Sequence, residues 1–259
     1  NNINNVGGLI QGRDVFATAQ TDINNIGGTM TANQTLALDA GRDINNITTT
    51  IKTENQHGLS EFSAENIGRV AGLYVQDADG QLVANAKNNI NLTASDLQSQ
   101  GSIAIQAGQD LNLSTVNVSR RDLSSAGDDD YILNGSSRDV GTQIQAKGNI
   151  SLQSGANTQI KASTLNSESG NVVVSAGKDI QVQEGRATHE YALRAHEEKG
   201  NIVSKTRKDK LIEQNENTSV SSVIAGKNVV LNADQNIAVQ GSQVVADELM
   251  QLQAKGAVE

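Results

Sequence analysis

Three histidines, an acidic triplet, two Ala-Gly-Lys tripeptides and one basic cluster are the places where this 259-residue chain could do chemistry. His189 and His196 are each followed by Glu, but they stand seven apart. The spacing is not the His-Glu-x-x-His of a helical zinc site, and an odd separation on a strand puts the two rings on opposite faces. With His57 they read as solvated loop residues. Asp128-Asp129-Asp130 lacks the alternating ligands and the Gly of a calcium loop and reads as a charged loop tip. A phosphate loop needs Gly, four residues, then Gly-Lys-Ser/Thr. At Ala176–Lys178, Val172 stands where the first Gly belongs and Asp179 follows the Lys, and the tripeptide at Ala225–Lys227 carries Asn228 after its Lys. Lys205–Lys210 (KTRKDK) has the charge to meet anionic lipid or lipopolysaccharide, and reads equally as a polar hairpin tip. No catalytic residue, cofactor site or metal site is assigned from these groups.

The elements that position them come from composition and repetition. Aromatics are 2% of residues, Trp, Pro and Cys are absent and Gly numbers 24. A core built on large rings is excluded, as are a disulfide framework and a thiolate metal site. The net charge of −9 argues against nucleic acid, whose binding depends on neutralising phosphates with Lys and Arg. No apolar run approaches the roughly 18 residues of a membrane span.

AGRDINNI at Ala40–Ile47 returns as AGQDLNL at Ala107, AKGNISL at Ala146, AGKDIQV at Ala176 and AGKNVVL at Ala225. Val15 to Leu36, Ile23 to Ile44, Leu82 to Ile103 and Ile90 to Leu111 are each 21 residues, and two strand starts inside each unit lie 8 apart. That period is short for paired helices and fits a β-solenoid coil. Segments such as INL (90–92), IAI (103–105) and VVL (229–231) alternate apolar-x-apolar, so their large side chains share one face. Ile103, Leu111, Ile150, Ile180 and Ile237 are therefore expected to point inward. Gly41, Gly108, Gly177 and Gly226 suit corners of positive φ, and Asn24-Asn25 and Asn45-Asn46 suit turns whose amides ladder between coils. Sugar-cleaving solenoids cluster carboxylates beside aromatics, and no acid pair recurs here at coil spacing with a ring beside it.

The chain departs from the period near 51–80, 117–140 and 184–218. The last stretch reads as a protruding β-hairpin, with EYALRAHEEK as an alternative short helix. Subtracting these polar insertions leaves about eight coils. The whole reads as one β-helix segment of a longer protein, its open ends pairing with neighbouring coils of the same protein.

The elements A-G-x-D/N-I-x-L and D-I-N-N-I-G-G, with long polar loops between coils, resemble the filamentous-haemagglutinin repeats of two-partner-secreted exoproteins. The resemblance implies an all-β, right-handed parallel β-helix (β-solenoid), secreted through an outer-membrane transporter barrel to the bacterial cell surface. It also implies no enzyme and no cofactor. SVIAGKNVVLNADQNI after the 184–218 insertion resembles the later repeats of growth-inhibition effectors. That implies a stalk or delivery segment in contact-dependent growth inhibition, meeting a target-cell surface. The shaft of a filamentous adhesin or haemolysin is the alternative. The sequence has Gly-Arg-Asp at Gly12 and Gly41 but no Arg-Gly-Asp, so integrin binding has no support.

Overall fold

The computed structural model describes residues 1–127, 130–201 and 204–259. Each coil lays one strand on each of three faces. The first face is an 8-stranded parallel sheet running from Ile3–Val6 through Ile23–Ile26, Ile44–Ile47, Ile90–Thr93, Leu111–Ser114, Thr158–Lys161 and Ile180–Gln183 to Ile237–Gln240. The second and third faces join in one sheet, because strands such as Thr29–Ala40 and Val223–Ala233 bend from one to the other. Elsewhere they are separate strands, as in Asp96–Ser99 and Ser102–Ala107. Eight coils result, stacked in register with Ile23 beside Ile44, Ile44 beside Ile90 and Ile90 beside Leu111.

The interior is a column of aliphatic side chains. Ile103, Leu111, Ile150, Ile180 and Ile237 are all 1% exposed or less, as the alternation predicts. The second face adds a strand per coil that the 8-residue spacing does not show. In four coils it buries one large and one small residue, Met30 with Ala32, Leu97 with Ser99, Ile144 with Ala146 and Leu165 with Ser167, and in the third coil it buries Leu73 with Val75. A small or hydroxylated second member hides the apolar-x-apolar signature.

Three local readings are corrected. The recurring Ala-Gly motif is not one corner: after Ala40, Ala107 and Ala176 the chain enters the first face, whereas after Ala146 and Ala225 it enters the third. Gly41, Gly108, Gly177 and Gly226 do not carry positive φ. The backbone of the adjacent coil passes so close that a Cβ at Gly41 would lie 2.0 Å from the Gln20 carbonyl oxygen, and one at Gly108 2.0 Å from that of Lys87. Close approach selects glycine there. Asn24-Asn25 and Asn45-Asn46 lie within strands. Their amides do ladder: Asn24 donates to Asn4, Asn45 to Asn24, Asn91 to Asn45 and Asn112 to Asn91, at 2.8 to 3.0 Å. A second ladder, Asn5 to Asn25 to Asn46, is buried, so asparagine is satisfied in the interior by its own copies.

Positive φ belongs to a different corner. Gly7, Gly27, Ala94, Ala162 and Gly241 all sit in the left-handed region, each directly after a first-face strand. In the third, fifth and seventh coils the chain instead leaves at that corner as a hairpin. The corner then closes in one way with or without a hairpin. The amide of Ser95 donates to Thr142 Oγ1, that of Thr142 to Ser163 Oγ, that of Ser163 to Ser222 Oγ and that of Ser222 to Ser242 Oγ.

The hairpins are Thr49–His57 with Ser60–Arg69, Val116–Gly127 with Asp130–Val140, and Gly185–Gly200 with Lys205–Val220. Gly72–Val75, inside the departure near 51–80, and Gln81–Ala86, just after it, pair with Thr29–Ala32 and Thr35–Ala40 and so belong to the coil. The stretch EYALRAHEEK is strand, not helix.

Candidate functional site: the hairpin sheet

Each hairpin is two strands wide, about 9.6 Å at the usual strand spacing, and two coils rise by the same amount. Hairpins from alternate coils therefore meet edge to edge, and the three form a 6-stranded antiparallel sheet along one side of the helix. The contacts between hairpins are regular ladders. Ser119–Leu123 pairs with Glu61–Glu65, and Tyr131–Arg138 with Ala187–Arg194.

Two contacts tie this sheet to the coils. Arg69 Nη1 donates to the Gly7 carbonyl at 2.6 Å, reaching from the first hairpin across the corners of earlier coils. Asp139, at the base of the second hairpin, accepts from Asn117 Nδ2 at 3.0 Å and from the Arg186 amide of the third hairpin at 3.1 Å. Its carboxylate also lies 3.3 Å from Lys161 Nζ on the intervening coil. Burial alone would raise its pKa, but the Asn117 and Arg186 hydrogen bonds and the Lys161 charge outweigh burial and hold the carboxyl below its ordinary value.

The chemistry-bearing residues gather here. All three histidines, three of the five aromatics (Phe62, Tyr131, Tyr191) and twelve of the twenty Lys and Arg lie in the hairpins. Ladder register puts Phe62, Asp122, Asn134 and Tyr191 in one row across four strands. On the same face Ala64, Arg120, Ser136 and His189 form the next-but-one row. The Arg120 guanidinium lies 4.9 Å from the Phe62 ring centroid and 3.3 Å from Asp122, so it stacks and pairs at once. Beside it a shallow depression of about 340 Å³ is lined by Arg120, Asp122, Asn134, Ser136 and His189.

His189 and His196 belong to one unbroken strand, and their odd separation puts them on opposite faces. His196 Nδ1 is 2.9 Å from Asp209 Oδ1 and its Nε2 is 3.7 Å from Glu198. The hydrogen bonds from His196 and then Arg207 hold the Asp209 carboxyl below its ordinary value. Among the described residues no group of three or more His, Cys, Asp or Glu side chains is placed to hold a metal ion. Asp128 and Asp129 lie outside the described residues, whereas Asp130 Oδ1 accepts the His196 amide. His57 ends the outgoing strand of the first hairpin and is exposed.

The KTRKDK run is divided by strand alternation. Lys205, Arg207 and Asp209 face one way, Thr206, Lys208 and Lys210 the other, so the cluster is not one basic patch. Lys178 and Lys227 sit at two different corners of the coil stack, far apart in role from a phosphate cradle. Asn91-Leu92-Thr93 and Asn112-Leu113-Ser114 have the form of N-glycosylation sequons, and the side-chain nitrogens of Asn91 and Asn112 donate within the outward ladder. What sequence reasoning missed is the assembly of the insertions into one surface. The signal was present, because every insertion follows a first-face strand and the three fall in alternate coils.

Searches of curated proteins and of solved structures each returned no match. The profile of one family, described as hemagglutinin repeat, matches residues 123–210 and 202–259, together more than half of the chain. These spans run from the second hairpin through the sixth, seventh and eighth coils, so the match takes in stack and hairpins alike. The chain belongs to the hemagglutinin-repeat family.

Proposed function

We propose that this chain is a rigid shaft segment of a secreted, cell-surface exoprotein, exported through an outer-membrane transporter barrel. In the finer reading, it is the stalk that carries and delivers a toxin in contact-dependent growth inhibition. The observation that carries the shaft reading is the division of labour in the fold. The coils use every inward position for packing and every stacked Asn for a ladder, while the groups able to meet a partner stand on the hairpin sheet. The arrangement supports presentation and reach.

A second reading, the shaft of a filamentous adhesin or haemolysin that binds host or matrix surfaces, draws on the row of half-buried Phe62, Asp122 and Tyr191 and exposed Asn134, with Arg120 stacked beside it. One experiment separates the two. The full-length exoprotein is displayed on its producing cell with Phe62→Ser and Tyr191→Ser together, and both growth inhibition of neighbours and adhesion to surfaces are measured. Inhibition retained with adhesion lost favours the adhesive reading of this face. Inhibition and adhesion both unchanged leave the sheet a spacer for delivery. Absence of surface display for the unmodified exoprotein would overturn the shaft reading itself.

A further inference from the structure

The third face of the coil stack, which includes Gln81–Ala86, Ser102–Ala107 and Val172–Ala176, carries almost no charge on its outer side. From Phe16 to Val230 its middle row holds Ala37, Val83, Ala104 and Val173 and one polar residue, Ser151. The rows on either side are hydroxyls and amides, except for Asp14, Asp39 and Leu249. In the fourth, fifth and sixth coils glycine stands at both bounding corners, as Gly101 with Gly108, Gly148 with Gly155 and Gly170 with Gly177. Charge gathers instead at the rims of the face. Asp79, Lys227 and Glu248 stand where the chain enters it, and Lys87, Asp234 and Lys255 where the chain leaves. A centre depleted of charge inside a polar rim is the usual anatomy of a protein interface.

The face is also large enough. Eight strands, one per coil, make a surface of about 38 Å by about 20 Å, so two such faces would bury about 1,500 Å² together. Stable protein pairs bury about 1,200–2,000 Å². The hairpins leave at the corner between the first and second faces, opposite the third, and do not stand in the way.

We propose that the third face pairs with the third face of a second copy of the chain, the two shafts side by side and pointing the same way. The twofold axis runs along the shafts over the middle row, so each coil meets the same coil of the other copy. The middle row then meets itself, Phe16 on Phe16, Val83 on Val83 and Val173 on Val173, with the sheets about 10 Å apart. Each flanking row meets the other, which sets Asp14 against Thr18 and Asp39 against Thr35. The entry rim likewise meets the exit rim. Asp79 falls opposite Lys87, Lys227 opposite Asp234 and Glu248 opposite Lys255, and symmetry makes each pair twice. Arg13 and Lys147 face Gln20 and Gly155, so no like charges oppose across the rims. Within one copy Lys227 already lies 3.4 Å from Glu248 and Lys255 2.8 Å from Asp234. Charge therefore alternates along each rim and across the join. An antiparallel pair would set each rim against itself and lose all three contacts. The packed rows supply affinity, and the rims supply choice of partner and direction. The product is a double shaft whose two hairpin sheets point away from each other.

The test uses the full 259-residue chain, read by sedimentation and light scattering over a concentration series. Lys227→Glu with Glu248→Lys makes one variant, and Asp234→Lys with Lys255→Asp the other. Each keeps its ion pair within the copy, with the signs exchanged, so the fold of a single copy is undisturbed. The unmodified chain is expected to pass from monomer to dimer. Either variant alone sets like charges opposite across the join and should dimerise at least about tenfold more weakly. An equimolar mixture opposes unlike charges at every one of these places and should dimerise as the unmodified chain does. Ala104→Arg, at an exposed middle-row position, puts two guanidinium groups face to face and should leave a monomer with unchanged circular dichroism. A monomeric unmodified chain throughout the series overturns the proposal. So do variants that pair alone as strongly as the unmodified chain, a mixture no stronger than its components, and a dimer that survives Ala104→Arg.

Discussion

The coil stack and the hairpin sheet are both β-structure from one chain, yet they obey different rules. In the stack each residue lies about 4.8 Å from the equivalent position of the next coil, so a side chain is judged by how well it repeats. Asn lines the interior beside aliphatics because its amide bonds to the next Asn, and Gly recurs where the neighbouring carbonyl passes. In the hairpin sheet no residue faces its copy. Phe62 meets Arg120, Ser137 meets Thr188 and Arg121 meets Glu61, each pair chosen once. The stack nevertheless sets the hairpins' spacing, because their bases are fixed two coils apart. Repetition supplies the scaffold, and the non-repeating part is free to diversify.

That contrast breaks most visibly at the core. Ile180→Asp puts a charge without a partner at a position of 0% exposure, and is expected to cost several kcal/mol, on the order of 4 or more. Chemical denaturation followed by circular dichroism should show loss of the whole cooperative transition. Ile132→Asp, at a 42% exposed hairpin position, should melt close to the unmodified chain. Equal losses at both sites would erase the distinction.

Glycines give the next largest difference. Gly108→Val forces a Cβ to within 2.0 Å of the Lys87 carbonyl oxygen, and the backbone must move, at about 3 kcal/mol. Gly58 has φ of +60° with no atom within 4 Å of an added Cβ. Gly58→Ala should therefore cost only the left-handed penalty, about 1 kcal/mol. Thermal melts of the two variants read the gap directly.

Acid probes the junction of the two regions. Asp139, at the hairpin base, and Asp22, bonded to Arg42 in the coils, both have depressed carboxyl pKa values. Each group binds its proton less readily folded than unfolded. Its stabilisation is thus present above the ordinary carboxylate value of about 3.9 and is lost as pH falls through the folded value. Asp139→Asn should remove the acid-sensitive share at the base and weaken the tie between second and third hairpins by about 1–2 kcal/mol. Hydrogen exchange of the Arg186 amide, followed from neutral pH to pH 3, checks it. Unchanged protection at Arg186 would mean that the ladder alone holds the hairpins together.

The smallest effect comes from the largest cut. Uninserted coils connect the first face to the second through one left-handed residue and one more, a glycine in the first two coils and a serine in the later ones, as in Ala162-Ser163. Replacing residues 184–221 by a single Gly leaves Ser222 to complete that corner in the seventh coil. The melting temperature should move by no more than a few degrees, because the deleted strands lie outside the stack. A collapse of the cooperative transition would show instead that the hairpins support the coils.

Much of the stack was legible in the residues. The 21-residue spacing, the apolar-x-apolar strands and the three departures from period are statements about one chain compared with itself, and stacking makes that comparison physical. The second face was less legible, because Ser99 and Ser167 stand where the alternation needs an aliphatic. The glycine corners were misread, since a left-handed backbone and a close neighbour both select glycine in sequence.

By itself the sequence determined the coil, its inward residues and the polar character of the insertions, because those depend on local alternation and on a fixed repeat. Tertiary structure alone decided that Phe62, Asp122, Asn134 and Tyr191, far apart in the chain, lie in one row. It alone decided that the insertions make one sheet, with the nine-residue Thr49–His57 at one edge and the 16-residue Lys205–Val220 at the other. Those facts rest on a match between the width of a hairpin and the rise of two coils, and a length in space leaves no mark on any single residue.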